Sequence, residues 1–315
     1  MRAISILEAG PLATIQDRGR FGFRDRGVPV SGAMDQQALM VGNLLVGNDV
    51  GAAAIEITLG GFKAEFLGDV HFAVTGADQA PRLNHGPIAN WTCQWAKAGD
   101  VLSLDYARFG LRSYLAVAGG IAVPEIMGSR STYLRGGFGG YQGRALKEGD
   151  ILPLGETFGK PIPAFPAGLI LPYAEQPTLR VIPGPQDDYV TAEGIETFLS
   201  SLYEVTTRLD RMGIALSGPL IELRRGADII SDGTCAGAVQ VHGNQQPTIL
   251  AADCQTVGGY VKIATVIATD LSLLAQLAAG AKVRFASIDL LQAREINLKN
   301  QFLLRNFYER HGNAT

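Results

Sequence analysis

The chain has 315 residues, 47% of them hydrophobic and 18% charged, with a formal net charge of −3 and 39 glycines. That length exceeds the usual ~100–200 residues of one domain and predicts two units, each with enough apolar sequence for a core. The slight acidity and the lack of a lysine-rich run exclude a field that would draw in a polyanion, so nucleic acid is not an expected partner. No apolar stretch reaches the ~20 residues of a membrane span, and "MRAISILEAGPLATIQD" lacks the apolar core of a signal peptide. Three cysteines without CxxC spacing, Cys93, Cys235 and Cys254, fit a reducing cytoplasm.

In chain order, the segments KAEFL, VHFAVTG, VLSLDY and RSYLAVAG recur at the ~8–12-residue spacing of all-β barrels and sandwiches, so residues 1–160 read as a β lobe. One helix is predicted from Asp35, with Ala38, Val41 and Leu45 on one face and a stop at Gly47-Asn48. Pro161, Pro163, Pro166, Pro172 and Pro177 make residues 161–178 a linker or an edge, because proline lacks the N–H a central strand needs. A second helix is expected over about 191–202, carrying Ile195, Phe198, Leu199 and Leu202. The second β lobe, residues 179–288, holds a third helix from Thr269 or Asp270 to Gly280. The last, 289–315, is a helix and tail with Leu291, Leu298 and Phe302 on one face, widened by Ile296, Leu303 and Phe307. That stripe must bury against its own lobe or against a partner.

Common catalytic signatures are absent. "GGFGGYQGR" lacks GxGxxG spacing, no Walker sequence occurs, and His71, His85, His242 and His311 stand apart from any metal-ligand spacing, so no metal site is expected. "GSRST" lacks the second glycine of a nucleophile elbow; Ser129 and Ser131 beside Arg130 form either a capped turn or an anion nest. "TIQDRGRFGFRDRG" places Arg18, Arg20, Arg24 and Arg26 in a glycine-punctuated loop, read either as a solvated ion-pair surface or as a guanidinium fork for a carboxylate or phosphate.

"LAADCQTVGGYVKIATVIATDL", residues 250–271, sets many polar groups between two apolar elements. An unsatisfied buried polar group costs ~1–3 kcal/mol, so a ligand is one answer and a β-bulge capped by tyrosine is the other. On the first reading Gln255, Thr256, the backbone of Gly258 and Gly259, and Tyr260 and Lys262 line a pocket with Asp210, Arg211 and Gln240. On the second, Lys262 snorkels at the surface.

Taken together, "TIQDRGRFGFRDRGVPVSGAMD", "NLLVGND…AIEITLGG", "RSYLAVAGGIAVPEIMGSRST", "GRALKEGD", "LDRMGIALSG" and "GAVQV…QPTILAADCQTVGGYVKIATVIATDL…LAQL" resemble the biotin-dependent carboxyltransferase family, the allophanate hydrolase subunit 2 proteins, from about Ile6 to Phe285. The resemblance implies a mainly β fold of two cyclophilin-like β-barrel lobes with a few short helices. It is strongest to the branch acting in ATP-dependent 5-oxoprolinases, and so implies B-type and A-type partner proteins, a small-molecule substrate, and ATP with Mg in the assembled complex. On that footing Lys262, Tyr260, Asp210 and Arg211 are the expected catalytic residues. Arg18, Arg20, Ser129, Arg130, Ser131, Gln240, Gln255, Thr256, Gly258 and Gly259 are the expected substrate-binding ones.

Several positions depart from the family pattern. Ile214 and Ala215 stand where Tyr-Arg is usual, His242 and Gln245 replace a proline and a glycine, and Val261 replaces the proline of "GGYP". Two other functions fit the same resemblance. One is a urea carboxylase-like carboxyltransferase, which needs biotin on a separate carrier because no methionine here flanks a lysine. The other is a non-enzymatic antagonist that binds a kinase-inhibitor protein.

Overall fold

A computed structural model describes residues 2–157 and 159–311 of the chain. It is mainly β and falls into two compact units: Met1–Phe21 with Ser31–Leu171 and Phe302–Thr315, and Gly22–Val30 with Pro172–Gln301. The change of unit at Leu171/Pro172 lies inside the proline-rich stretch. Two assignments have no counterpart in the sequence reading: residues 22–30 group with the second unit, and the chain from Phe302 groups with the first.

The first unit is built on two antiparallel sheets. One runs Ile151–Pro153, Ala3–Ala9, Phe62–Phe66, Val101–Leu104, Arg82–Leu83, Gly86–Pro87; the other runs Leu12–Gln16, Ala54–Thr58, Phe109–Val117, Val70–Asp78, Cys93–Ala96. The helix Gln36–Leu45 starts where predicted, because the Asp35 carboxylate accepts from the Ala38 N–H at 3.0 Å. Its Gly42 allows close approach to Thr75 and Ala116, where an added Cβ would lie 3.1–3.2 Å from their atoms. The proline-rich stretch is a docked edge: Ile162 N–H donates to Leu45 O, Phe165 N–H to Trp91 O, and both side chains are buried.

In the second unit an eight-stranded sheet runs Thr178–Pro183, Lys282–Ser287, Tyr203–Leu209, Gly213–Ser217, Pro247–Leu250, Ala238–Val241, Val257–Val266, Asp228–Gly233. Thr178–Pro183 also pairs with Val257–Val266 through Val181↔Val266, Ile182↔Thr265 and Pro183↔Ala264. Seven strands thus close into a barrel and Asp228–Gly233 is left at the edge. Val205, Ile214, Val239, Val241, Ile249, Val261 and Ile263 fill the interior with Phe198, Tyr203 and Phe285. Ile214 is therefore a core residue, and its departure from the family pattern is a matter of barrel packing.

The second helix, Ala192–Ser200, is capped by the Thr191 hydroxyl accepting from Gly194 N–H at 2.9 Å. The third is shorter than predicted, a 3-10 turn at Ala268–Asp270 followed by Leu271–Leu274. Asp270 is not a cap there: its carboxylate is taken by the Arg180 guanidinium and backbone N–H. The next N–H groups close tighter turns, Gln276 to Leu273 O and Leu277 to Leu274 O. The last helix, Leu290–His311, opens with a reciprocal cap, Gln292 N–H to Asp289 Oδ1 at 2.8 Å and Asp289 N–H to Gln292 Oε1 at 3.0 Å. The expected stripe of Leu291, Leu298 and Phe302 is exposed; Leu304 and Phe307 are the buried residues, with the Phe307 ring edge-on to Phe165 at 4.8 Å. Among the described residues no helix is long and apolar enough to cross a membrane.

Tyr203 is fully buried and its hydroxyl has no hydrogen-bond partner among the described residues, while burial pushes the phenol up to about 12. Tyr203→Phe removes an unsatisfied polar atom at nearly constant shape and is expected to leave melting temperature unchanged or raised. The raised folded value means this residue's contribution holds below the unfolded value of about 10 and is lost above it, by roughly 1.4 kcal/mol per pH unit up to the folded value. Chemical denaturation of both proteins at pH 8 and pH 11 should show the wild type losing more stability than the variant.

Candidate functional site

The expected residues fall into two clusters, one in each unit. In the first unit Asp17 organises the loop that carries Ser129, Arg130 and Ser131. Its Oδ1 accepts from Ser129 Oγ at 2.8 Å, from Ser131 Oγ and from Gly19 N–H; its Oδ2 accepts from Arg130 N–H at 2.6 Å. Ser131 N–H donates to Ser129 Oγ, and Asp17 N–H to Ser131 Oγ. The two hydroxyls are thus held by a carboxylate of the same chain, the arrangement of the capped turn that is one of the two readings of the sequence.

Arg20 is fully buried, donating from Nε to Ile126 O at 3.0 Å and from Nη2 to Ser131 O at 2.8 Å, with its guanidinium over the Phe138 ring. It braces the same loop rather than facing solvent, so it is not one tine of a fork. The Arg130 side chain is half-exposed and pairs with Glu125 at 2.8 Å; Arg18 is exposed. Of the arginines of the glycine-punctuated loop, Arg18 and Arg26 are exposed and Arg24 is partly buried; Arg130, on the serine loop, is half-exposed.

In the second unit the polar stretch resolves into three jobs. Asp253 forms a buried two-point ion pair with Arg211, Nε to Oδ2 and Nη2 to Oδ1, both 2.9 Å, and its N–H donates to Arg211 O at 2.7 Å. Asp210 shapes the turn into Gly213–Ser217, accepting from Met212 and Gly213 N–H at 2.7 and 3.1 Å. The expected catalytic residues Asp210 and Arg211 thus also have structural partners within the unit. Gln255 and Thr256 act through their carbonyls: Gln255 O accepts from Thr234 Oγ1, and Thr256 O from Thr234 N–H at 3.1 Å.

Lys262, Gln240 and Gly258 form the third group. Gln240 and Lys262 are register partners on adjacent strands, facing away from the core that Val261 and Ile263 enter. Lys262 is only 3% exposed, yet its Nζ donates at 2.9 Å to Asp232, whose side chain is 55% exposed on the edge strand. The ammonium holds the Asp232 carboxyl below the usual carboxylate range. Gln240 is 1% exposed and its Nε2 has no hydrogen-bond partner among the described residues. A Cβ on Gly258 would lie 2.8 Å from that nitrogen and 3.4 Å from Gln255 Nε2, so the missing side chain lets two amides approach the backbone. Gly259 is partly exposed. Tyr260 is more so, packed edge-on against the His242 ring at 4.5 Å, and burial lowers the His242 imidazole first, with Arg208 adding to it.

Sequence reasoning missed Arg24, Gln186 and Asp232. Arg24, in the 22–30 segment of this unit, donates from Nη2 to Thr234 O, with Thr256 O at 3.5 Å. Gln186 N–H donates to Lys262 O at 3.3 Å and its Oε1 accepts from Lys262 N–H at 3.2 Å. The only sequence signal for Arg24 was its place in an arginine-rich loop. Among the described residues no group of three or more His, Cys, Asp or Glu side chains is placed to hold a metal ion.

A family model for the carboxyltransferase domain, subdomain A and B, matches residues 26–287. The chain is 41% identical over 293 residues to the C subunit of the Escherichia coli 5-oxoprolinase, covering 92% of this chain and 93% of that protein. It is 38% identical over 302 residues to the C subunit of the Haemophilus influenzae 5-oxoprolinase, covering 96% of each. The crystal structure of the K. lactis urea amidolyase matches with a TM-score of 0.91 at 33% identity over 97% of this chain; the chain spans 20% of that longer protein.

Ser131→Ala should remove a donor to Asp17 Oδ1 and an acceptor of Asp17 N–H, leaving buried polar atoms unpaired. A loss of ~1–3 kcal/mol in urea denaturation is expected. Unchanged stability would return Ser131 to the pool of ligand donors.

Proposed function

The chain belongs to the family of carboxyltransferase domains built from subdomains A and B, and from that premise we propose that it is the C subunit of a cytoplasmic ATP-dependent 5-oxoprolinase. On this reading it joins B-type and A-type proteins to convert 5-oxo-L-proline to L-glutamate with ATP hydrolysis, ATP and its Mg belonging to the assembled complex. The observation that carries the proposal is similarity over nearly the full length of both chains to two proteins named as the C subunit of 5-oxoprolinase.

The chemistry asks for what the second unit holds. A lactam carbonyl is stabilised by its nitrogen lone pair, so water adds to it slowly. Transfer of a phosphoryl group from ATP to the carbonyl oxygen makes that carbon electrophilic. Water then adds, the ring C–N bond breaks as the nitrogen takes a proton and leaves an acyl phosphate, and a second water cleaves that to the new carboxylate and free phosphate. Each step develops negative charge on oxygen, which preorganised donors in a water-poor setting stabilise. Lys262 supplies a buried ammonium and Gln240 an unpartnered amide on the same face of the barrel. Tyr260, Gln255, Thr256, Gly258 and Gly259 surround them as positioning groups. Arg18 and Arg130 remain the candidates for anion contact in the first unit.

The likeness to urea amidolyase supports a second reading, a carboxyltransferase component that receives a carboxyl group from biotin on another chain. Reconstitution separates the two. With the B-type and A-type proteins present, ATP hydrolysis should require 5-oxoproline and fall to background when this chain is omitted. Hydrolysis that ignores either 5-oxoproline or this chain would refute the proposal; bicarbonate-dependent turnover of a biotinylated carrier would establish the second reading in its place.

A further inference from the structure

Arg24 lies far in sequence from the second unit's strands but packs among them, and its anchor points are informative. Its Nη2 donates to the Thr234 carbonyl and lies 3.5 Å from that of Thr256. Lys262 Nζ donates to the carboxylate of Asp232. Two cations therefore grip the same short stretch at positions two residues apart, about 7 Å along an extended chain. Among the described residues Arg24 has no carboxylate partner, whereas the buried Arg211 is fully matched by Asp253. Both Arg24 and Lys262 act electrostatically on Cys235, the residue after Thr234; burial raises that thiol and the two cations oppose the rise. Burial likewise raises the Cys254 thiol, and the Arg24 cation opposes that rise too.

Three donors thus border residues 232–234 and Gly258, the register partner of Asp232: among the described residues, a guanidinium without an acid, an ammonium whose acid is on the exposed edge strand, and the unpartnered buried amide of Gln240 beside Gly258. A buried donor left unpaired is unfavourable, and an oxyanion would satisfy all three kinds. We propose that Arg24 and Lys262 are the paired cations of an anion subsite for a carboxylate or phosphoryl group, in which the Asp232 carboxylate occupies the ligand's place until the ligand displaces it. The proposal rests on placing the ligand site on this face of the second unit. Arg24 is thereby a contact residue contributed by the loop segment 22–30, and Asp232 an internal competitor.

The geometry makes opposite demands on two variants. Arg24→Met should weaken anion binding by about tenfold or more, the scale of one charge-assisted contact. Asp232→Asn, which keeps an oxygen acceptor for the Lys262 ammonium but removes the carboxylate charge, should tighten binding because the competing charge is gone. The test is the melting temperature of the full chain titrated with inorganic phosphate and, separately, with acetate, each against chloride at matched ionic strength. A rise for phosphate alone identifies a phosphoryl subsite and a rise for acetate a carboxylate one; in both cases the rise shrinks in Arg24→Met and grows in Asp232→Asn. No rise with either anion, or a rise that Asp232→Asn leaves unchanged or reduces, overturns the proposal. Because no turnover is measured, a failed 5-oxoproline assay leaves this result standing, and a failed titration leaves the assay standing.

Discussion

The strand Val257–Val266 is hydrogen-bonded along both edges, and the second unit depends on that. One edge pairs with Ala238–Val241; the other meets Asp228–Gly233 early and Thr178–Pro183 late, which closes the barrel. The closure continues into the next loop, where Gly184 N–H donates to Ile263 O and Gln186 N–H to Lys262 O. Only a glycine allows it, since a Cβ at 184 would stand 2.1 Å from Lys262 O. With the backbone of Lys262 fixed on both sides, alternation sends Val261 and Ile263 into the core and aims the lysine at the opposite face.

What that face then contains follows from electrostatics. A buried ammonium is tolerated when it is paired and hydrogen-bonded. Asp232 provides the pair, but from an exposed strand held at few points, so the partner is exchangeable in a way that Asp253, locked to Arg211, is not. The barrel thus holds one ion pair as structure and another as a poised charge. In the first unit Asp17 has the opposite character: ringed by donors of its own chain, it fixes a loop.

Much of this was legible in the sequence, and the limits have a physical pattern. The mainly β character, the helix starts at Asp35, Thr191 and Asp289, and the polar interruption at 253–262 are local properties, carried by turn residues, caps and periodicity. Hydrogen-bond partners more than a hundred residues apart are not. Nothing in "GSRST" announces that Asp17 takes both serine hydroxyls, and nothing in "DRGRFGFRDRG" distinguishes buried Arg20, which braces the loop carrying Ser131, from Arg24, which grips Thr234. The third helix starts where expected but ends early, because the Gln276 and Leu277 N–H groups close three-residue turns to Leu273 O and Leu274 O.

The central claim is that Lys262 serves a ligand and not the barrel. Lys262→Met keeps the apolar stem in place and leaves Asp232 solvated, so stability should change by no more than ~1 kcal/mol. Measured in the reconstituted complex of all three proteins, 5-oxoproline-dependent ATP hydrolysis should fall ~100-fold or more, the ~2.7 kcal/mol typical of one preorganised electrostatic group. Wild-type turnover in a variant of unchanged melting temperature would contradict the account, leaving this lysine as no more than a structural partner of Asp232.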